Sequence, residues 1–499
     1  MAHVTITTTT MGFRIAVLER GEIVGTSLTV TQYTKKFEHR QYDKIAERWV
    51  LVNEFFYFDR DQKICYFPRF DLEKFKEFLL ENRVTFTVNE LTPSKGESAT
   101  FLMLPHVKYK NDKQERAVEF LTNKTSGPLR GLALQTGTGK SVAFIWALQK
   151  IGVRSIITMT SRLEQWVKEL EAYTTLDEDD IYVIQGVGSL TKLFSQIDKQ
   201  IKPKIILAST KTVRLYLEYG PTYQHLPHPS EMCEELGVGV VGTDEYHEHF
   251  YTNFLIGIML NPALFIPITA TFLANDPFVK NIFDQFVPKN IQFSGGEYEK
   301  FVNVTAYQYN SGGFYIKPFH YMSPQGYSQQ MFEKFLLGRG RKVLDALVED
   351  AIIPLIRNHY INLAEPGEKF LFLCASTKMC DYLEGIFKRV FKDKKTSVFY
   401  SGLPATILER YDIILSTPGS SGTGRDIKNL RTCFAFENTG SETRNLQFIG
   451  RLRGPPQMMN VPEFLYLSFS CIPQHVKYAN MRAMLYGPRA VQFKHRSIS

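Results

Sequence analysis

The chain has no long hydrophobic run and no recognisable leader. Its apolar stretches are strand-length and interrupted by polar residues, which excludes a transmembrane helix. The first residues, MAHVTITTTTMGF, contain no basic stretch followed by an apolar core, so we expect no signal peptide. Both absences favour a cytoplasmic protein.

Cysteine is sparse, and its spacing has no pattern. No cysteine belongs to a CxxC pair or stands at the Cys/His spacing of a zinc site, so we expect no zinc and predict reduced, buried thiols. The six cysteines are Cys65, Cys233, Cys374, Cys380, Cys433 and Cys471.

Neither sign of charge is strongly in excess. The 499 residues carry a net charge of +8, with 22% charged and 44% hydrophobic residues. This excess is compatible with a polyanionic partner, and it suits equally a soluble protein kept away from zero charge. The hydrophobic content is ample for folded cores, and the length allows roughly two to four domains.

What is present is an alternation of short apolar strands and helices from about residue 105 onward, which is typical of parallel α/β sheets. One series of strands runs from Gly131–Leu134 through Ser155–Met159 to Phe265–Ile268, and a second from Lys369–Cys374 to Phe464–Phe469. The segment before them has a strand-like stretch at Trp49–Phe58 and helical spacing of apolar residues over Leu72–Glu81. We predict a small α+β domain at 1–98, an α/β domain at 105–290, an insertion or interdomain connection at 291–345 and a second α/β domain at 346–499.

A glycine loop lies between the first strand and a helical segment. The sequence Gln135–Ser141, QTGTGKS, has the strand–loop–helix context of a phosphate-binding loop, although the first glycine of the usual motif is replaced by Leu134. Backbone N–H groups and a helix N-terminus favour phosphate there. Lys140 would reach the β- and γ-phosphates, and the Ser141 hydroxyl would bind Mg²⁺. The alternative, a glycine-rich turn without a ligand, is disfavoured by the lysine and serine.

Two carboxylates follow a later apolar strand. In Val240–His247, VVGTDEYH, Asp244 and Glu245 stand at the carboxyl end of the strand, where ligands bind in open α/β sheets. Asp244 would hold Mg²⁺, and Glu245 would orient or activate an attacking water. His247 could couple this site to a neighbouring domain. A helix N-cap is the alternative for an isolated Asp-Glu pair.

Together, these segments and others in the same order resemble the motifs of superfamily 2 helicases, with DEYH similar to the DExH box. The resemblance implies two RecA-like domains in tandem that bind ATP and Mg²⁺ between them and track nucleic acid. It implies ATP contacts at Gln114, Thr136, Gly137, Thr138, Gly139, Lys140, Ser141, Gly424 and Asp426. It implies coupling by His247, Thr269, Thr271 and Gln447, and nucleic-acid contacts at Arg162, Thr210, Ser376 and Thr417.

The segment Gln447–Arg453, QFIGRLR, resembles the arginine-finger motif but departs from it at one position. The family's second arginine falls three residues after Arg451, where this chain has Gly454, and Arg453 stands one position early. Arginine suits the role because its charged planar fork can meet the γ-phosphate as charge develops. We expect Arg451 and Arg453 near the phosphates and leave the finger undecided between them.

Within superfamily 2, Leu134 and Gln165-Trp166 resemble the branch of UvsW-type and XPB-type DNA helicases. That branch implies a phage-encoded motor of the host cytoplasm that remodels branched or duplex DNA in recombination, repair or replication. Only about 45 residues follow Arg453, too few for the large accessory domains that follow the motor in DEAH-type RNA helicases, and this favours DNA over RNA. An RNA helicase or transcription-release ATPase, the motor subunit of a restriction complex and a nucleotide-gated clamp or annealing protein stay open as alternatives.

Two basic stretches could contact nucleic acid or lie on solvated surfaces. Basic groups neutralise phosphates, and interleaved aromatic rings can stack on bases. The first stretch contains Lys35, Lys36, His39, Arg40 and Lys44 with Tyr33, Phe37 and Tyr42, for which a solvated charged helix is the favoured alternative. The second contains Lys477, Arg482, Arg489, Lys494 and Arg496.

Overall fold

The computed structural model divides the chain into two compact units, residues 1–295 and 296–499. It describes residues 3–16, 31–43, 48–59, 63–134, 138–160, 163–219, 226–270, 276–295, 300–311, 316–323, 326–400, 402–404, 406–418, 427–452 and 461–498. None of the helices in these ranges is long and apolar enough to cross a bilayer. The six cysteines are all free, and Cys471 alone among them is partly exposed.

The first unit begins with a mixed five-stranded sheet. Its elements are β1 (His3–Thr8), β2 (Gly12–Ala16), β3 (Glu38–Asp43), β4 (Arg48–Asn53), β5 (Tyr57–Asp59), β6 (Ile64–Pro68), α1 (Leu72–Glu81) and β7 (Thr85–Glu90). The strand order is β5-β6-β2-β1-β7, and β3 and β4 form a separate two-stranded hairpin. Helix α1 has the predicted bounds because Leu72, Phe75 and Leu79 recur at helical spacing and pack in the core.

The predicted strand Trp49–Phe58 is interrupted and forms parts of β4 and β5. Phe55 lies between them with a φ of 68°, in the left-handed region that ends an extended strand. Its ring is buried among aromatic residues, 5.3 Å from the ring of Phe254 and 5.7 Å from that of Phe250. Burial of this ring therefore accompanies the break in the strand.

The rest of the first unit is built around a parallel sheet. Its elements are α2 (Asp112–Thr122), β8 (Gly131–Ala133), α3 (Lys140–Ile151), β9 (Ser155–Met159), α4 (Leu163–Tyr173), β10 (Ile181–Ile184), α5 (Val187–Gln196), β11 (Ile205–Ser209), α6 (Thr210–Tyr219), α7 (Met232–Glu235), β12 (Val240–Thr243), α8 (Phe250–Met259), β13 (Leu264–Thr269), α9 (Pro277–Phe286) and β14 (Gln292–Ser294). The seven strands are in the order β10-β11-β9-β12-β13-β8-β14. Strands such as β9 and β13 are buried along their whole length because helices cover both faces of a parallel sheet.

The N-terminal sheet and the parallel sheet of the first unit share one hydrophobic core. Helix α8 lies between them, and nearly all of its residues are buried. The backbone of β2 approaches this helix closely: a Cβ on Gly12 would lie 2.6 Å from the carbonyl oxygen of Ile258. Glycine is required at this position by the contact.

The second unit contains a second parallel sheet. Its elements are β15 (Val302–Tyr309), β16 (Met322–Ser323), β17 (Gly326–Tyr327), α10 (Gln329–Leu337), α11 (Arg341–Leu347), α12 (Ile353–Ile356), β18 (Lys369–Leu373), α13 (Thr377–Val390), β19 (Thr396–Phe399), α14 (Ile407–Arg410), β20 (Ile413–Ser416), β21 (Leu430–Ala435), α15 (Glu442–Gly450), β22 (Glu463–Phe469), α16 (Pro473–Tyr486) and β23 (Ala490–Ile498). The seven strands are in the order β19-β20-β18-β21-β22-β15-β23. Five-residue π-helical turns flank α12 on each side.

The segment 291–345, expected to be an insertion or connection, supplies strands to both sheets. Strand β14 pairs with β8 in the first sheet, and β15 pairs with β22 and β23 in the second. The aromatic residues of β15, Tyr307 and Tyr309, are buried in the second core, which accounts for the aromatic character of this segment. The predicted fold class, two RecA-like parallel sheets after a small α+β domain, is confirmed.

Candidate active site

The glycine loop joins β8 to the N-terminus of α3. Thr138, Gly139, Lys140 and Ser141 are described, whereas Thr136 and Gly137 lie outside the described residues. Gly139 has a φ of 81°, which favours glycine, and a Cβ there would lie 1.9 Å from the Nε2 atom of Gln114. The loop therefore turns into the helix through a position that a side chain could occupy only if Gln114 moved away.

Lys140 meets both carboxylates of the DEYH segment. Its Nζ atom lies 3.3 Å from Asp244 Oδ1 and 3.0 Å from Glu245 Oε1, and all three side chains are buried. Strand β12 delivers the carboxylates and β8 precedes the lysine, with β13 between these two strands in the sheet. Because parallel strands end at the same edge, residues about 100 positions apart converge there. Charges this deeply buried require partners of opposite sign.

Asp244 and Glu245 are held in place by further contacts. The indole Nε1 of Trp166 on α4 donates to Asp244 Oδ2 over 3.0 Å, and the backbone N–H of Glu245 donates to Asp244 Oδ1 over 2.9 Å. Glu245 has a φ of 48°, a left-handed conformation that is costly for a residue with a side chain. Trp166 stood in the sequence only as a marker of the family branch, and nothing in the sequence indicated this contact.

His247 lies against the end of the neighbouring strand. Its Nδ1 atom is 2.7 Å from the hydroxyl oxygen of Thr269, the last residue of β13, and 3.6 Å from Glu245 Oε2. The structure therefore brings His247, Thr269 and the carboxylate pair together, and their coupling role stays a prediction. Thr271, the other threonine of that motif, lies outside the described residues.

Gln114 contacts the loop through its side-chain amide. Its Nε2 donates to the carbonyl of Gly139 over 3.0 Å, and its Oε1 accepts from the N–H of Lys110 over 2.5 Å. The side chain is buried and holds the backbone at the entry to α3. Contact with adenine, the role implied by the resemblance, stays a prediction.

The expected nucleic-acid contacts are only partly described. Arg162 lies outside the described residues, and Thr210 is a buried residue at the start of α6. The Ser376 hydroxyl accepts from the N–H of Met379 over 3.3 Å, capping α13, and donates to Glu333 Oε2 over 2.5 Å. Both contacts of Ser376 direct its hydroxyl into the protein. Glu333, on α10, was not singled out in the sequence because a lone acid on a helix usually faces solvent.

The expected nucleotide contacts of the second unit lie mostly in undescribed segments. Gly424, Asp426 and Arg453 are outside the described residues. Gln447 and Arg451 are described: Gln447 lies in α15, and Arg451 is the residue that ends it, with both side chains partly buried. The missing second arginine at Gly454 therefore has no structural account.

The basic stretches differ from a solvated charged helix. Residues 35–37 form one short helical turn and residues 38–43 the strand β3. Tyr33 and Phe37 are buried, and Lys36 pairs with Asp71 while its Nζ lies 3.7 Å from the centroid of the Tyr33 ring. These two rings are therefore unavailable for stacking on bases. In the C-terminal stretch, Arg482 and Arg489 are buried.

Comparison with known proteins gives only remote similarities. No family model and no curated protein matches the chain. Dbp5 of S. cerevisiae, solved bound to RNA and ADP BeF3, is 14% identical with a TM-score of 0.49 and covers 77% of this chain and 89% of its own. T4 UvsW is 14% identical with a TM-score of 0.34 and covers 100% of this chain and 99% of its own. The assignment of fold rests on the two strand orders given above, which are those of RecA-like domains in tandem.

Proposed function

We propose that the chain is an ATP-driven nucleic-acid motor of the superfamily 2 type that acts on DNA. The observation that supports this best is the contact of the Lys140 ammonium with Asp244 and Glu245 at one edge of a parallel sheet. ATP hydrolysis uses a cation for the phosphates, a carboxylate for Mg²⁺ and a carboxylate that orients or activates water. The three residues supply these groups in that order.

The residues at this edge fit ATP with Mg²⁺. Lys140 is 8% exposed and has carboxylate partners that phosphate oxygens can replace when ATP binds. Mg²⁺ takes one or two protein oxygen ligands together with substrate phosphates, and Asp244 and the Ser141 hydroxyl are the proposed ligands. When bound, the ion neutralises charge that develops on the phosphates. Gln114 fixes the carbonyl of Gly139 and so shapes the loop that receives them.

Coupling to nucleic acid is proposed to run through His247 and Thr269. Their 2.7 Å contact links the carboxylate strand to β13, so a change at Glu245 on hydrolysis can alter the segment after Thr269. The proposal gives Thr271 and Gln447 the same coupling role. From the second unit the same proposal takes Gly424 and Asp426 for the nucleotide and Arg451 and Arg453 for the γ-phosphate. The tracked strand would be contacted by Arg162 and Thr210 of the first unit and by Ser376 and Thr417 of the second.

The test is a Lys140→Ala variant compared with Lys150→Ala. Lys150 lies in the last turn of the same helix and is exposed, so its replacement controls for loss of a lysine from α3. We expect Lys140→Ala to lower nucleic-acid-stimulated ATPase activity by roughly 10²-fold or more, the loss typical when one charge-stabilising donor is removed. Lys150→Ala should retain the wild-type rate. Full stimulated activity in Lys140→Ala would refute the proposal.

The nature of the nucleic acid is a separate part of the proposal. Branched or duplex DNA, in phage recombination, repair or replication, is favoured by the resemblance of the motifs to UvsW-type and XPB-type helicases. ATPase and strand-displacement rates should be compared over DNA forks, four-way DNA junctions, single-stranded DNA and RNA forks of matched sequence. Stimulation by RNA forks above that by any DNA would reassign the chain to the RNA helicases or transcription-release ATPases.

A further inference from the structure

A cavity of about 450 Å³ lies in the second unit at the carboxyl edge of its sheet. Ala375 follows β18, Thr417 follows β20, and Glu437 and Thr439 follow β21. Helices α10, α13 and α15 all begin beside it, so the positive ends of three helix dipoles are close. Tyr478 also lines the cavity. The resemblance assigned Ser376 and Thr417 near here but no other residue.

Arg444 is the sole cationic side chain among the described residues that line this cavity. It is the third residue of α15, and its Nη1 atom lies 2.8 Å from Glu437 Oε1. The Arg444 side chain is 50% exposed, whereas that of Glu437 is 4% exposed. One edge of the guanidinium is therefore fixed on a buried carboxylate, and the side chain still reaches solvent.

Glu437 is buried, and its carboxylate pairs with Arg444. Burial raises the pKa of the Glu437 carboxyl, and the Arg444 guanidinium opposes that rise. Arg482 adds a second cation behind it, and its Nη2 donates to the backbone carbonyl of Glu437 over 2.6 Å. With its charge offset in this way, Glu437 does not make the cavity repel an anion.

The remaining polar lining of the cavity suits a phosphodiester. Ser328, Gln330, Thr417 and Thr439 also line it, and Glu437 is the one acid among the described lining residues. A guanidinium anchored at one nitrogen keeps further N–H groups for phosphate oxygens and loses less side-chain entropy when it binds them. Hydroxyl and amide groups are the other common ligands of nucleic-acid phosphates.

We propose that this cavity is a phosphate site for the backbone of the bound nucleic acid, with Arg444 as the direct contact and Glu437 as its positioning residue. The inference rests on the proposed function and deepens it by adding a contact that the motifs do not include. Ala375, in the loop after β18, and Thr417, in the loop after β20, border the same cavity. A nucleic-acid strand that runs over these two loops therefore passes within reach of Arg444.

The test measures the binding of labelled single-stranded DNA, and of RNA of the same sequence, to the full chain at several salt concentrations. We expect Arg444→Gln to weaken binding about tenfold, as for loss of a charge-assisted hydrogen bond. The slope of log affinity against log salt should become shallower by about 0.7, the value for one phosphate on a single strand. Arg444→Lys should fall between Arg444→Gln and wild type, and it keeps the test available if Arg444→Gln does not fold.

Arg341→Gln is the matched control. Arg341 is 46% exposed and its Nε lies 2.9 Å from Asp345 Oδ1, so it is also a half-exposed arginine paired with an acid in the second unit. It should bind as wild type. Wild-type affinity in Arg444→Gln, or weaker binding with an unchanged salt slope, would overturn the phosphate site alone. A wild-type chain that binds neither DNA nor RNA would overturn the proposed function together with it.

Discussion

The indole N–H of Trp166 donates a 3.0 Å hydrogen bond to Asp244 Oδ2 in the interior of the first unit. Trp166 is 2% and Asp244 4% exposed, so water does not substitute for the bond. The contact fixes the rotation of the carboxylate that we propose as the Mg²⁺ ligand. Groups that orient a metal ligand from behind are known to affect metal affinity strongly.

We therefore expect Trp166→Phe to raise the Mg²⁺ concentration that gives half-maximal ATPase activity by roughly tenfold or more. Phenylalanine keeps an aromatic ring against Phe144 but removes the donor. The same shift should appear in the Mg²⁺ concentration required for thermal stabilisation by a non-hydrolysable ATP analogue, a measurement that needs no turnover.

Trp146→Phe provides the control for the loss of ring volume. Trp146 lies on α3 in the same unit, and its buried indole N–H has no hydrogen-bond partner among the described residues. This variant should keep the wild-type Mg²⁺ requirement. An equal shift in both variants would mean that packing, and not the bond to Asp244, sets the Mg²⁺ requirement.

The two ends of helix α3 allow a paired test of the phosphate loop. Gly139 and Gly152 have φ angles of 81° and 69°, but a Cβ would lie 1.9 Å from Gln114 Nε2 at the first and 3.9 Å from the nearest atom at the second. Both alanine variants should lose about 1 kcal/mol of stability from left-handed strain. Gly139→Ala should in addition bind a fluorescent ATP analogue at least tenfold more weakly, because Gln114 must leave the loop. Equal affinities in the two variants would contradict this.

Regular features of the fold were predictable because they depend on local pattern. The buried strand Ser155–Met159 and the amphipathic helix Leu72–Glu81 have the bounds expected from continuous and helical apolar spacing. The phosphate loop and the DEYH carboxylates were also predictable from the sequence, because each directly follows its own apolar strand along the chain. The sheet edge at which they meet follows from parallel topology.

Other features depend on contacts between distant residues and could not be read from the chain. The break at Phe55 depends on rings of α8 about 200 positions away. The bond from Trp166 to Asp244 and the burial of Glu333 beneath Ala375 depend on how helices pack on the sheet. A charged or aromatic residue on an amphipathic helix has the same sequence signature whether or not such a contact forms.

The His247–Thr269 contact predicts a non-additive effect on coupling. Thr269→Val and His247→Ala should each reduce the ratio of nucleic-acid-stimulated to unstimulated ATPase rate. The double variant should be no worse than the stronger single variant, because both remove the same 2.7 Å contact. Thr158→Val is the control. It removes a buried 3.2 Å hydrogen bond from Thr158 to Thr243 in the same sheet and leaves the His247–Thr269 contact in place. Additive losses in the double variant would show that the two residues act independently.

A pH dependence is expected from Glu333, which supports the loop after β18. Its Oε1 accepts from the N–H of Ala375 over 2.7 Å, and burial raises the pKa of its carboxyl from 4.5 to about 7. The folded chain therefore keeps this proton where the unfolded chain has lost it, and the free energy of unfolding falls as pH rises from 4.5 to 7. The full loss is about 3 kcal/mol.

Glu333→Gln, which has no proton to lose, should flatten this part of the stability curve in urea denaturation and be more stable than wild type at pH 8. Exposed Glu365→Gln should leave the curve unchanged, and parallel curves for wild type and Glu333→Gln would rule out titration of Glu333 as the cause.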